Sequence, residues 1–279
     1  MLRHCLESVK DADEIIVCDT GSTDKTIEIA LQYTDKVFTD YVWNDNFPEA
    51  RNHAKSKATG DWILSIDADE KLATGCILKI RKIIANTSVE KAFYVNMIDN
   101  RAFHEHQMIR LFKNDPDVQW EVPGGGYVHE SINTPGISSP VSIFYDYSPA
   151  HSLDPHIDNR LLIKSVKDFP HNPRNYYYLG REYFYRQDYF TAITILEKYI
   201  SISSFNAEKA DAWLMIARCL WLTNQGEKAR QACFNAISIN ASFKEAILFM
   251  AEMSWKHNAD VWKKFASHCD NTGVLFVRT

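Results

Sequence analysis

The chain has no apolar stretch approaching the roughly 20 residues that a helical membrane span needs, and no secretory leader opens it. Its six cysteines are Cys5, Cys18, Cys76, Cys219, Cys233 and Cys269; no two form a C-x-x-C pair, which argues against a zinc site or a disulfide framework. Scattered cysteines suit a reducing compartment, so a cytoplasmic location is expected. Positive charge is scarce as well. The 31 Lys and Arg stand against 36 Asp and Glu, for a formal net charge of -5, which argues against a protein that grips nucleic acid by bulk charge. There is also no room for a strand ahead of the first helix, because Met1 to Val9 already reads as an amphipathic helix. The remainder is ordinary for a globular protein of one large or two modest domains: 279 residues, 46% hydrophobic and 24% charged.

Up to about residue 150 the pattern alternates between strand and helix. Glu14 to Cys18 is a short apolar run ending at Asp19, followed by turn and N-cap residues, Thr20 to Asp24, and a helix with Ile27, Ala30, Leu31 and Thr34 on one face. Lys36 to Phe38 reads as a second strand, Pro48 as the first turn of a helix ending before Gly60, and Trp62 to Ile66 as a third strand with Asp67-Ala68-Asp69-Glu70 at its carboxyl end. A helix over about 74–86 and strands at Phe93–Met97 and Gln107–Phe112 follow. Residues 118–150 are rich in Gly, Pro and aromatics and read as irregular chain with short antiparallel strands. Such alternation implies a mostly parallel sheet flanked by helices, with ligands bound beyond the carboxyl ends of the strands, where Asp19 and Asp67 lie.

From about residue 157 only helices are expected. Tyr176, Gly180, Tyr183, Ala192 and Leu196 are matched 37 residues later by Trp213, Ala217, Leu220, Ala229 and Cys233, and a weaker copy begins near Phe243, with Ala251 in the small-residue position. This pattern is similar to tetratricopeptide repeats, in which helix pairs stack into a solenoid with a concave face. The expected division is therefore 1–156 and 157–279.

The strongest chemical signal is Asp67-x-Asp69 at the end of an apolar strand. Mg²⁺ and Mn²⁺ take hard oxygen ligands and bind diphosphates through one or two carboxylates. A bare D-x-D is more often a solvated acidic turn; its place at a strand end, with Asp19 on a neighbouring strand end, favours the functional reading.

Taken together, Glu14 to Asp24, Trp43 to Phe47, Ala50-Arg51-Asn52 and Gly60 to Glu70 closely resemble family 2 glycosyltransferases of the GT-A fold. The resemblance extends more loosely through Arg110-Leu111-Phe112 and Val128-His129-Glu130 to His151, and a subgroup of that family carries tetratricopeptide repeats behind the transferase domain. The resemblance implies an α/β, Rossmann-like mixed-sheet GT-A domain followed by an all-α repeat domain. It also implies roles: Asp19 for the nucleotide base or ribose; Arg51 and Asn52 for the donor or the acidic turn; Asp67 for the donor; Asp69 for the metal, Mn²⁺ or Mg²⁺; His151 as a further metal ligand; Glu130 as general base. His104, His106 and His156 are left as background. The implied reaction is an inverting sugar transfer from a nucleotide sugar, expected to be a UDP-sugar, to a protein, peptide or glycan acceptor presented by the repeats.

One departure stands out. Family members open with an apolar strand that lines the nucleotide pocket, and here Met1 falls in the helix after it, so a late start is the favoured explanation. A competing reading is a non-catalytic binding protein that works through its repeats, with a degenerate transferase domain. A third keeps the chemistry and makes the acceptor a nucleobase or nucleic acid, against which the acidic charge counts.

Overall fold

In the computed structural model, which describes residues 1–99, 104–145 and 156–269, the alternating part of the chain builds one unit, Met1–Ile157, and the helical part a second, Asp158–Thr279. The first unit opens with helix α1 (Leu2–Val9), which buries Cys5, Leu6 and Val9. Strands β1 (Val17–Cys18) and β2 (Val37–Phe38) pair in parallel, with the short helix α2 (Thr26–Ala30) between them in sequence. Helix α3 (Phe47–Lys57) starts where Asn46 accepts a hydrogen bond from the Glu49 amide and Pro48 occupies the first turn, both favourable at a helix N-terminus.

Strands β3 (Trp62–Leu64) and β4 (Glu70–Leu72), helix α4 (Cys76–Ala85), and strands β5 (Ala92–Asp99), β6 (His104–Lys113), β7 (Trp120–Glu121), β8 (Ser131–Ile132) and β9 (Ile137–Tyr145) follow. The main sheet has the order β3-β6-β5-β9-β4, and β7 and β8 form a separate pair. The sheet is mixed, as the resemblance implies, and not the mostly parallel one that alternation alone suggests. Only β5 and β9 run parallel in the main sheet; β3–β6, β5–β6 and β4–β9 are antiparallel. The four residues between β5 and β6 leave no room for a crossover helix, so those strands must be antiparallel.

One strand lies where none was expected: β4 begins at the last residue of the acidic turn. Strand β9 falls in the segment read as irregular chain with short antiparallel strands, and at nine residues it is longer than that reading. Pro140 and three serines break the apolar alternation of β9, yet Ser139, Val141 and Ile143 are buried. The ladder to β5 slips near Tyr94 and Asn96, which lets proline sit in the strand.

Between β1 and β3 two strand edges carry no ladder. Val17 and Asp19 donate to β2 residues, so Ile16 and Cys18 present their backbone groups to the opposite edge. Ser65 donates to Arg110, so Trp62 and Leu64 present theirs away from β6. Among the described residues none of these outward groups has a backbone partner. The two edges are neighbours: the Glu14 carboxylate, just before β1, accepts from the Thr59 and Gly60 amides, just before β3, and Ile15 shares a core cluster with Trp62 and Leu64.

The second unit consists of α5 (Ile157–Asp168), α6 (Pro173–Tyr185), α7 (Tyr189–Ile202), α8 (Asn206–Leu222), α9 (Gly226–Ile239), α10 (Lys244–Glu252) and α11 (Lys256–Ala266). Its core joins residues of α6 through α10, among them Tyr177, Leu196, Ala217, Cys233 and Ile247. The repeat spacing has a steric cause. A Cβ added at Gly180 would lie 2.6 Å from Cγ of Leu196, a fully buried side chain. Gly180→Val is therefore expected to lower stability by about 1–3 kcal/mol through overpacking, measured as a reduced midpoint in urea, whereas Gly226→Ala, whose nearest contact is 3.4 Å away, leaves the midpoint nearly unchanged.

Asp211 on α8 is fully buried; Oδ2 accepts from the Tyr177 hydroxyl at 2.5 Å, and Oδ1 has no hydrogen-bond partner. Burial pushes its carboxyl up to about 6, against the opposing pull of Tyr177, Arg218 and Arg181. A raised carboxyl pKa favours the folded state at low pH, and that contribution is lost as pH rises through about 6. Asp211→Asn is accordingly expected to raise the melting temperature relative to the parent at pH 7.5 and to lose that advantage at pH 4, where the parent aspartic acid is also neutral.

Candidate functional site

The chain reaches the site along β1 and β3, whose carboxyl ends deliver Asp19 and Asp67. Asp19 is buried, and its Oδ2 accepts from the Gly21 amide at 3.0 Å and the Ser22 amide at 2.9 Å. Burial pushes this carboxyl up, but the bonds from Ser22 and Gly21 more than offset it, and its pKa falls below the usual value. Asp19 thus shapes the Thr20–Ser22 turn as well as occupying a strand end; Gly21 takes φ +117 there, a conformation that suits glycine.

Arg51, on α3, is the hub. Nη1 donates to Asp67 Oδ1 at 2.6 Å and Nη2 to Asp67 Oδ2 at 3.0 Å, while Nε donates to Glu130 Oε1 at 2.5 Å. The guanidinium also lies over the Trp120 ring, 4.9 Å from its centroid. A fork on one carboxylate plus a second carboxylate on Nε uses the planar donor geometry that Lys lacks. Burial opposes the charge on Arg51, but Asp67 and Glu130 hold the guanidinium pKa above its ordinary value.

Asn52, the next residue, serves β7: its Nδ2 donates to the Trp120 carbonyl at 2.8 Å and its Oδ1 accepts from the Trp120 amide at 2.9 Å. Both halves of the amide are engaged with this backbone, so Asn52 fastens α3 to the segment that leads to Glu130. The Phe47 amide adds a bond to the Tyr127 carbonyl at 3.1 Å. Glu130 follows His129, which takes φ +64, an uncommon conformation for a residue with a Cβ. This turn directs the Glu130 carboxylate onto Arg51, and the carboxylate is only 9% exposed.

The acidic turn is held from below. Arg110, on β6, donates Nη2 to Asp67 Oδ2 at 3.2 Å and to Glu70 Oε1 at 2.8 Å. Burial pushes the Asp67 carboxyl up, but Arg110 and Arg51 together hold it well below the carboxylate range. Burial pushes Glu70 up, with Arg110 opposing and Asp67 reinforcing. The sequence pattern did not single out Arg110 or Glu70: each sits in an apolar or acidic run, and only the pairing of β3 with β6 brings them to the same turn.

Asp69, at the tip of that turn, is the residue on which a metal reading rests. Among the described residues no three His, Cys, Asp or Glu side chains converge on one point, and His151 lies outside the described residues. A single protein carboxylate is nevertheless a usual foothold for Mg²⁺ or Mn²⁺, whose remaining positions are filled by water and substrate phosphate oxygens. Asp69 fits that role by its chemistry. The last residue of β9, Tyr145, pairs with Glu70, one residue from Asp69, and His151 comes six residues later. Of the background histidines, His106 stands beside Tyr145 with ring centroids 6.0 Å apart.

A cavity of about 450 Å³ lies along β6, β7 and β8, walled by Trp120, Tyr94 and Ile109 and edged by Gln107, Asn133 and Ser131. It shares Trp120 with Arg51 and reaches Ser131, the neighbour of Glu130.

Residues 1–125 match the family described as glycosyl transferase family 2. They form a family 2 glycosyltransferase domain. The residues behind this transferase domain are tetratricopeptide-like helical repeats. A TPR repeat-containing protein of Synechococcus elongatus is 40% identical over 136 residues, 47% of this chain and 33% of that protein. The SPbeta prophage-derived glycosyltransferase SunS of Bacillus subtilis is 27% identical over 243 residues, covering 80% of this chain and 56% of that protein. An uncharacterized glycosyltransferase of Rickettsia felis is 37% identical over 95 residues, 32% of this chain and 31% of that protein. The chain thus spans between a third and just over half the length of these curated relatives.

Proposed function

We propose that the protein is an inverting glycosyltransferase that moves a sugar from a nucleotide sugar, with a UDP-sugar as the expected donor, to a protein, peptide or glycan acceptor. The observation that carries this reading is the single guanidinium of Arg51 bridging the D-x-D carboxylate Asp67 and the carboxylate of Glu130. It joins the donor anchor Asp67, beyond the carboxyl end of β3 where open α/β sheets bind ligands, to the base Glu130, which immediately precedes β8.

In this reading Asp19 takes the ribose or base of the nucleotide. Asp67, locked by two arginines, holds the donor side of the site in a fixed charge state, while Asp69, with His151, holds a divalent cation, Mn²⁺ or Mg²⁺. When bound, the cation supplies Lewis-acid charge to the departing nucleoside diphosphate. Arg51 aligns Glu130, and Glu130 accepts the proton of the acceptor as its nucleophile attacks the anomeric carbon. Asn52 keeps α3 and the Trp120 segment in register so that this pairing persists. Direct displacement from the opposite face inverts the anomeric centre. The cavity beside Ser131 and Trp120 is the proposed approach for the acceptor, and the repeat unit the proposed selector of that acceptor. No helix among the described residues is long and apolar enough to cross a membrane, and the free cysteines favour a cytoplasmic setting.

The test is release of nucleoside diphosphate from a panel of nucleotide sugars with Mn²⁺. The parent protein is expected to turn over at least one donor, with loss in EDTA and recovery on adding Mn²⁺. Glu130→Gln is expected to lower kcat by roughly 10²–10⁴-fold while leaving donor affinity near the parent value. If no donor yields product with the parent protein, including a form carrying an apolar strand ahead of Met1, the enzyme reading falls. That outcome would select the second reading, a non-catalytic binding protein with a degenerate transferase domain.

A further inference from the structure

The turn from Asp67 to Glu70 is closed from both ends. The Glu70 amide donates to the Asp67 carbonyl at 3.0 Å, and Glu70 Oε2 accepts from the Asp67 amide at 2.7 Å. This reciprocal pair leaves Ala68 and Asp69 at the tip. The Cys5 thiol adds a bond to the Asp67 carbonyl at 3.3 Å. Two carboxylates, Asp67 and Glu70, are thereby forced into one turn, and their mutual repulsion would open it. Arg110 stands between them with Nη2 on both. Its side chain is 5% exposed and that of Glu70 6%.

A buried ion pair of this kind is weak evidence for stability as such, since an apolar pair of similar volume often serves as well. What it specifies is geometry. Arg110 lies on β6 where the ladder to β5 slips between Phe93 and Tyr94, the kind of irregularity that re-aims a side chain, and its carbonyl accepts from the Ser65 amide, which ties it to the strand that leads into the turn. Glu70 is the first residue of β4, paired with Tyr145. The direction in which Asp69 leaves the turn is therefore set by two strands through two side chains.

We propose that Arg110 and Glu70 are positioning residues of the donor site, holding the Asp67–Glu70 turn so that Asp69 faces the cation and the donor diphosphate. The proposal rests on the glycosyltransferase reading given above. It assigns neither residue a contact with substrate; each acts through the turn.

The test uses the full chain with Glu70→Gln, Arg110→Lys and Arg110→Met. Folding is followed by circular dichroism, Mn²⁺ affinity by electron paramagnetic resonance, UDP affinity by calorimetry with Mn²⁺ present, and donor KM and kcat by product release. Glu70→Gln and Arg110→Met are expected to fold, to weaken Mn²⁺ and UDP binding at least tenfold, and to raise donor KM to match, with kcat at saturating donor within threefold of the parent. Arg110→Lys, which keeps the charge but not the fork, is expected to recover part of the loss. If Arg110→Met does not fold, Glu70→Gln and Arg110→Lys carry the comparison. Variants that melt like the parent and bind Mn²⁺ and UDP as tightly overturn the proposal. A parent protein that binds neither overturns the glycosyltransferase reading instead, and this inference with it.

Discussion

Arg51→Met is expected to cost the transferase unit roughly 2–4 kcal/mol and to abolish sugar transfer. Removing one member of a buried ion pair costs about 3–5 kcal/mol, because the partner is left charged and desolvated. Here the guanidinium is 21% exposed and Asp67 34% exposed, so water screens part of the loss and the expectation is lower. Two carboxylates lose their common partner at once. Arg110 still neutralises Asp67, whereas Glu130, 9% exposed, loses the guanidinium it is paired with. Without the bond from Arg51 Nε, nothing aims the Glu130 carboxylate at the acceptor. The measurement is a urea midpoint for stability together with nucleoside diphosphate release across pH. Arg51→Lys should retain much of the stability and little of the activity, since an ammonium cannot fork on Asp67 and also reach Glu130. A variant that kept parent-like turnover would remove Arg51 from the site.

Supplying a five- or six-residue apolar strand ahead of Met1 is expected to stabilise the same unit by about 3 kcal/mol, a rise in Tm on the order of 10 °C. The strand would satisfy the outward backbone groups of Ile16, Cys18, Trp62 and Leu64 and would complete the burial of side chains that are now half-buried. Completing the burial of each large apolar residue contributes about 1 kcal/mol, roughly half of its full transfer. The position is specific: a strand there joins the two-stranded and five-stranded sheets into one, and α1, whose Cys5 and Ser8 already bond to Asp67 and Leu72, supplies the return connection. A scrambled polar extension of equal length should leave Tm unchanged. Equal melting with the apolar and polar extensions would show that the gap accepts no strand.

Much of the fold was legible locally. Asn46-Phe47-Pro48 announces α3 because a cap side chain and a preset φ act within a single turn. The 37-residue recurrence of Gly180 at Ala217 announces stacked helix pairs because only a small residue tolerates Leu196 at that distance. Strand β4 was not legible, and of β9 only the presence of some short antiparallel strand was. Their short or proline-broken patterns become strands only when β5 and the acidic turn offer partners, and a ladder is a non-local bond. The mixed direction of the main sheet came from the family resemblance and not from the alternation, since alternation of strand and helix in sequence does not state which strands will be neighbours.

The candidate site divides along the same line. Asp19, Arg51, Asn52, Asp67, Asp69 and Glu130 were readable as a set because each sits in a short run of characteristic residues. The sequence determined by itself which groups are present: a D-x-D turn at a strand end, an arginine one helix earlier, a glutamate after a glycine-rich loop, and repeats behind them. Tertiary structure alone decided who partners whom. It directed Arg51 to Asp67 and Glu130 together, turned Asn52 to the Trp120 backbone, and placed Arg110 beneath Glu70. Those pairings span 16 to 79 residues of chain, and over such separations no local propensity acts; only the packing of strands and helices sets the distance between two charges.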